Sequence, residues 1–202
     1  MFIELLWKQP DVYVAMVVLL VFSICVHEYC HAWMAWREGD PTAVQQGYLT
    51  LNPLRVMGPV SLVFLALVGV AWGAVPVNPM RLRGRGSHGR VSLAGPAANL
   101  VLAAAFAGLV WVAGGRMAPL AFIAGIGLNV NVLLFLFNLL PLPPLDGWEV
   151  FSWLIPALRR VSHQKAQQFG FIVLLVLMMS GLFRYLWAAA DFVTGLVLSR
   201  VA

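Results

Sequence analysis

Three apolar runs, residues 12–36, 91–115 and 117–141, each reach the roughly 20 residues that an α-helix needs to cross the hydrocarbon core of a bilayer. Lipid offers no partner to backbone N–H and C=O groups, so such runs satisfy them internally, as helices. Composition allows little else: of 202 residues, 61% are hydrophobic and 10% charged, with a mean hydropathy of +0.87. An aqueous domain of this length exposes too much of its surface to hide that apolar excess. The expected architecture is an all-α polytopic membrane protein, a single membrane-embedded domain over residues 1–202 with about four transmembrane helices. The fourth, residues 169–199, is interrupted by Ser180-Gly181, Arg184 and Asp191. It reads either as one long tilted helix or as a helix plus an interfacial piece. Gly114-Gly115-Arg116-Met117-Ala118-Pro119 joins the second and third runs by a tight turn.

Residues 60–75 are apolar but short of a span, and Pro59 and Pro76 bound them. Their flanks, 46–52 and 74–78, carry Thr, Tyr, Val and Leu and end in Asn-Pro, which suits strands closed by turns and predicts a small β-hairpin-like insertion. The formal charge of +5 does not point to nucleic acid, because the basic residues sit in short loops between apolar runs instead of forming one stripe. Cys25 and Cys30 point in different directions about one helix and cannot pair within it. Glu4 and Lys8 precede the first run, no small-residue cleavage site follows it, and the run carries polar motif residues, so it is expected to remain as a helix and not to be removed as a signal peptide.

Those motif residues are His27-Glu28-Tyr29-Cys30-His31. Histidines four apart lie about 40° from each other around a helix and share one face, so both can reach one zinc ion. Glu28, next to that face, is placed to take a proton from an attacking water. Imidazoles and a carboxylate are costly at membrane depth and usually mark function there. Zinc in a catalytic site needs a third protein ligand and an open position. Asp146 is the candidate, since it ends the long uncharged run 117–145 behind Pro141, Pro143 and Pro144, which break helical geometry and can turn a carboxylate inward. Asp146-Gly147 reads equally as a plain turn at a helix end.

Taken together, His27-Glu28-Tyr29-Cys30-His31 and Asn138-Leu139-Leu140-Pro141-Leu142-Pro143-Pro144-Leu145-Asp146-Gly147 resemble the two signatures of the site-2 protease family of intramembrane zinc metalloproteases. Ala94-Gly95-Pro96-Ala97-Ala98-Asn99, Gly39-Asp40-Pro41-Thr42, Leu49-Thr50-Leu51-Asn52-Pro53 and Pro76-Val77-Asn78-Pro79 are similar to its short bacterial branch, which lacks PDZ and CBS domains. The resemblance covers residues 12 to about 148. It implies that His27, His31 and Asp146 ligate one Zn2+ per chain, that Glu28 is the catalytic base, and that Asn138 is a polar catalytic helper. It further implies regulated proteolysis of single-pass transmembrane proteins or peptides, in contact with membrane lipid and without nucleic acid, in a prokaryotic cytoplasmic membrane. Where that branch often carries His-Asp-Pro after the Asn-Pro, this chain has Arg55-Val56-Met57-Gly58-Pro59, which leaves roles assigned to that loop open. The rival readings are a catalytically silent membrane metal-binding protein and a metal transporter.

A shared zinc constrains topology. If residues 60–75 crossed the membrane, the histidines and Asp146 would lie nearer opposite faces, so this segment is expected to be re-entrant or interfacial. Nine basic residues, Arg37, Arg55, Arg81, Arg83, Arg85, Arg90, Arg159, Arg160 and Lys165, then share one side, against Lys8, Arg116, Arg184 and Arg200. The nine-residue side is expected to be cytoplasmic, with the active site toward it. Gly95 and the neighbouring alanines read as helix packing, and two of Asn99, Asn129, Asn131 and Asn138 as simple interhelical hydrogen bonds. Cys30 reads as core packing, and His88 and His163 as surface groups.

Overall fold

The computed structural model describes residues 2–84, 86–114, 117–155, 157–158 and 163–199. Its helices are α1 (Glu4–Lys8), α2 (Pro10–Arg37), α3 (Thr42–Gln45), α4 (Pro53–Val56), α5 (Gly58–Val68), α6 (Ser87–Ala113), α7 (Ala118–Asn138), α8 (Asp146–Leu154), α9 (His163–Met179) and α10 (Phe183–Leu198), with a 3-10 turn at Pro79–Arg81. Three of them, α2, α6 and α7, are long and apolar enough to cross a membrane. They correspond to the three runs read from the sequence. The chain is an all-α integral membrane protein. The region 169–199 is divided between two helices, the 17-residue α9, which already begins at His163, and the 16-residue α10. Gly181, at φ +73°, takes the left-handed conformation that stops one helix and lets the next begin.

The central bundle is α2, α6 and α7. Small residues let these helices approach: a Cβ at Gly127 of α7 would come within 2.7 Å of the Phe106 ring of α6. Outside it, α10 packs on α7 and α6 through a cluster of Ala103, Leu128, Val132, Leu133 and Ala190. The basic end of α2 is tied to the start of α6 by Glu38, which accepts from Arg90 Nε at 2.6 Å, Arg90 Nη2 at 2.7 Å and Ser87 Oγ at 2.6 Å. The forked guanidinium and the hydroxyl hold the Glu38 carboxyl down to about 2.

Residues 60–75 do not cross. Helix α5 has 11 residues, which at 1.5 Å per residue extends about 16 Å, half a hydrocarbon core. It ends at Gly69, φ +81°, and the chain runs back beside it. Ser61 Oγ donates to the Trp72 carbonyl at 2.7 Å and accepts from the Trp72 N–H at 2.9 Å, and the Ala74 N–H reaches the Val56 carbonyl at 3.1 Å. Val56, Met57 and Leu65 bury against Ile24 and Cys25, seating the hairpin on α2 and giving Cys25 its packing role. At the tip, Tyr13 Oη donates to the Ala66 carbonyl at 2.8 Å, and the Phe2 ring covers Gly69. The segment is therefore re-entrant and runs deep, to the level of the first turn of α2, and is not interfacial.

The expected β-hairpin-like insertion is corrected: among the described residues there is no strand. Thr42–Gln45 is helical, and residues 46–52 turn, with the Gln46 carbonyl taken by the Arg55 guanidinium. Residues 70–78 are extended, but isolated groups satisfy them in place of a neighbouring strand. The Ala74 N–H goes to a helix end and the Asn78 N–H to the Asp40 carboxylate. Asp40 is fully buried and also accepts from the backbone and hydroxyl of Thr42. Burial opposes its charge, but these donors outweigh burial and hold its carboxyl below the ordinary value.

A re-entrant hairpin returns both of its flanks to one side. Cysteines replacing Leu51 and Met80, both exposed, are expected to react with an impermeant thiol reagent from the same face of sealed vesicles; labelling from opposite faces would contradict the hairpin.

Candidate metal centre

His27 and His31 project from one face of α2 and are 6% and 7% exposed. Asp146, the first residue of α8, meets them from the other end of the sequence. The proline-rich turn makes this possible because α8 can be laid directly against it: a Cβ at Gly147 would come within 2.3 Å of the Leu140 carbonyl oxygen. Gly89 likewise admits the Trp153 ring, bringing α8 against α6, and His88 Nδ1 lies 3.4 Å from Glu149 Oε2 across the same contact.

Three potential ligand atoms form a small triangle. His27 Nε2 lies 2.9 Å from His31 Nε2 and 3.0 Å from Asp146 Oδ2, and His31 Nε2 lies 3.2 Å from the same oxygen. The protonation of the rings follows from their other nitrogens. His31 Nδ1 sits 2.7 Å from the Val91 carbonyl, which can only accept, so Nδ1 carries the hydrogen. For His27 the assignment runs through two amides. Asn131 Nδ2 faces the Gly127 carbonyl at 2.9 Å and Ser23 Oγ at 2.9 Å, and a carbonyl accepts only, which fixes the flip of Asn131. Its Oδ1 then receives Asn99 Nδ2 at 3.1 Å, leaving Asn99 Oδ1 to accept from His27 Nδ1 at 2.6 Å. In the neutral rings both Nε2 atoms therefore present lone pairs, aimed at each other and at a carboxylate.

Such a cluster repels itself unless something positive lies within it. A proton on one Nε2 cannot lie along all three contacts, whereas a single cation can. Zinc ligands at about 2.0–2.1 Å in a tetrahedral shell lie about 3.3 Å apart, close to the observed spacings. The backbone leaves the room: a Cβ on Gly95 of α6 would come within 2.3 Å of His31 Nε2 and 2.4 Å of His27 Nε2. The donor set, the tautomers and this glycine cradle fit zinc.

Glu28 is buried beside this group at 8% exposure. The extended segment 70–78 lies over it, with a Cβ at Gly73 placed 2.6 Å from Glu28 Cγ and 2.9 Å from Oε1. Asn138 closes α7, and its amide donates to the Leu134 carbonyl at 3.0 Å within its own helix. Cys30 is half-buried and stands outside the group of potential ligands. His163 has its side chain outside the described residues. Gly95, read from sequence as helix packing with a substrate groove as the lesser alternative, faces the potential ligand atoms directly. Asn99 holds His27 and Asn131 holds Asn99, while Asn129 makes the simple interhelical bond, 2.8 Å to Asp191 Oδ1. The signal that singled out Asn99 was its polarity at membrane depth; which asparagine touches the site depends on how α6 and α7 pack.

A bilayer-spanning helix bundle that converges two imidazoles and a carboxylate beside a buried glutamate defines a class, the membrane-embedded metallopeptidases. The chain belongs to peptidase family M50, the site-2 protease family, whose model matches residues 108–181, and it is a zinc metalloprotease. Among its relatives, the "Putative zinc metalloprotease YwhC" of Bacillus subtilis is 39% identical over 183 residues, covering 85% of this chain and 84% of that protein. Rip2 of Mycolicibacterium smegmatis, under the same description, is 37% identical over 85% of this chain and 71% of its own length. MJ0611 of Methanocaldococcus jannaschii is 29% identical over 71% of this chain and 74% of its own length. No solved structure gave a significant match.

Gly95→Ala is expected to lower bound zinc well below one per chain by metal analysis, while Gly108→Ala, whose Cβ meets open space, retains it. Asn99→Leu, which leaves the His27 Nδ1–H unpaired, should weaken zinc affinity by about 10- to 100-fold in chelator competition.

Proposed function

We propose that the chain hydrolyses peptide bonds within or next to transmembrane segments of other membrane proteins, single-pass proteins or peptides among them. Its active site faces the cytoplasmic side of a prokaryotic cytoplasmic membrane. The observation that carries this reading is the depth of the site. His27 lies about 15 Å along α2 from the basic end of that helix, and the re-entrant hairpin screens it. A peptide reaches such a site from the bilayer or from the face where the arginines gather. Because residues 60–75 do not cross, Arg37, Arg55, Arg81, Arg83 and Arg90 share the face nearest the site, in keeping with the positive-inside rule.

His27, His31 and Asp146 would hold the zinc. Bound there, zinc supplies Lewis-acid polarisation of the scissile carbonyl and makes water acidic enough to attack near neutral pH. The chain supplies the rest. Asn99 and the Val91 carbonyl fix the two imidazoles in the Nδ1–H tautomer, so that both Nε2 lone pairs stay turned inward. Glu28 accepts the proton of the attacking water and passes it to the nitrogen of the leaving amine. Asn138, at the end of α7, is the proposed polar helper. A helical substrate keeps each carbonyl in its own hydrogen bond, so the scissile stretch must unwind. The extended segment 70–78 beside Glu28 is a backbone against which an unwound stretch can be aligned, a role better suited to it than to the turns at 46–52.

Glu28→Gln should lower cleavage of a single-pass reporter in proteoliposomes by about 10²- to 10⁴-fold while retaining one zinc per chain. Undiminished cleavage would remove Glu28 from the role of base.

A further inference from the structure

We propose that the outer face formed by α7 and α10 takes one transmembrane helix of another membrane protein, bearing a lysine or arginine at mid-membrane depth. Asn129 lies near the middle of the 21-residue α7, about 15 Å from either end. Its amide donates to Asp191 Oδ1 at 2.8 Å and to Thr194 Oγ1 at 3.4 Å, so α10 carries a carboxylate to the centre of the bilayer. Asp191 is exposed on the outside of the bundle, and among the described residues its Oδ2 has no donor. Carboxylates at this depth ordinarily face the bundle interior or pair with a cation. This one does neither.

The carboxylate's hydrogen-bond partner Asn129 lines a groove. An open cavity of about 370 Å³ runs between α2, α7 and α10, lined among others by Met16, Ala121, Gly125, Asn129, Trp187 and Leu198. On α10, Trp187, Asp191, Thr194 and Leu198 follow at helical spacing, so the carboxylate stands on the groove side of its helix. On α7, Ala121, Gly125 and Asn129 repeat every fourth residue, and a Cβ on Gly125 would meet nothing within 4 Å. Small residues at this spacing let another helix approach closely, and a polar side chain between them supplies a directed bond.

Charge selects the occupant. A second copy placing the same face here would set carboxylate against carboxylate, and the interiors of α2, α6 and α7 carry no lysine or arginine. The groove is also separate from the peptidase site, since Met16 lies about 16 Å along α2 from His27. It is an accessory site for a partner helix whose mid-membrane cation pairs with Asp191 Oδ2.

The test uses the full zinc-loaded chain in liposomes with a labelled leucine-alanine helical peptide carrying one central lysine, compared by energy transfer with the same peptide carrying leucine. The lysine peptide is expected to associate about tenfold more strongly. Asp191→Asn, which keeps an oxygen for Asn129, should erase that preference, and Gly125→Leu should weaken association of the lysine peptide, each variant keeping one zinc per chain as evidence of folding. Equal association of the two peptides, or a lysine preference that survives Asp191→Asn, overturns the proposal.

Discussion

Three lone pairs, on His27 Nε2, His31 Nε2 and Asp146 Oδ2, are held about 3 Å apart inside a membrane bundle, an arrangement that only a cation makes favourable. Much of the surrounding structure serves to keep them there. The spacing of the histidines puts two of them on one face of α2. Asn99 and the Val91 carbonyl, both on α6, take the Nδ1 hydrogens and so determine which nitrogens face inward. Asn131 of α7, anchored by a carbonyl of its own helix and by Ser23 of α2, orients Asn99. A single polar chain therefore connects all three spanning helices. Asn99 and Asn131 are fully buried, and losing either would leave buried partners unsatisfied as well as loosening a ligand.

The same convergence determines the path of the backbone. Asp146 can meet His27 only if the chain between them returns to the same part of the membrane, and the re-entrant hairpin 60–75 meets that demand. Its apolar residues enter the bilayer, while Ser61 and Tyr13 take up polar backbone groups that a turn at this depth would otherwise leave bare. The returning segment passes over Glu28 at Gly73, where a larger residue would displace the carboxylate, and Asp40 holds its far end at Asn78. Candidate metal site, proposed base and covering segment are thus fastened to one another along the half of α2 nearer its basic end.

The residues proposed to carry the chemistry stand out in the sequence because charge and imidazole are expensive in lipid; His27, Glu28, His31 and Asp146 are conspicuous against an apolar background. The re-entrant segment was legible for a related reason, since a shared ion forbids an odd crossing. Gly95 was not, because what it contributes is a missing Cβ opposite atoms from another helix, and no local pattern records that. Asn99 was visible only as one of four asparagines, since its role depends on an amide orientation traced through Asn131 to Gly127. Residues 46–52 and 74–78 have strand-like composition, yet a helix end, the Asp40 carboxylate and the Arg55 guanidinium take backbone groups at Ala74, Asn78 and Gln46, and the first two partners lie far away in the chain. The pair α9 and α10 was ambiguous for want of one fact, the left-handed conformation of Gly181.

Zinc K-edge absorption spectroscopy of the purified, zinc-loaded chain tests the convergence most directly. Two imidazole nitrogens with oxygen ligands at about 2.0–2.1 Å and no sulfur are expected, with one imidazole lost in His31→Ala. A sulfur scatterer at about 2.3 Å, or an unchanged first shell in both His31→Ala and Asp146→Ala, would contradict a zinc held between these three residues.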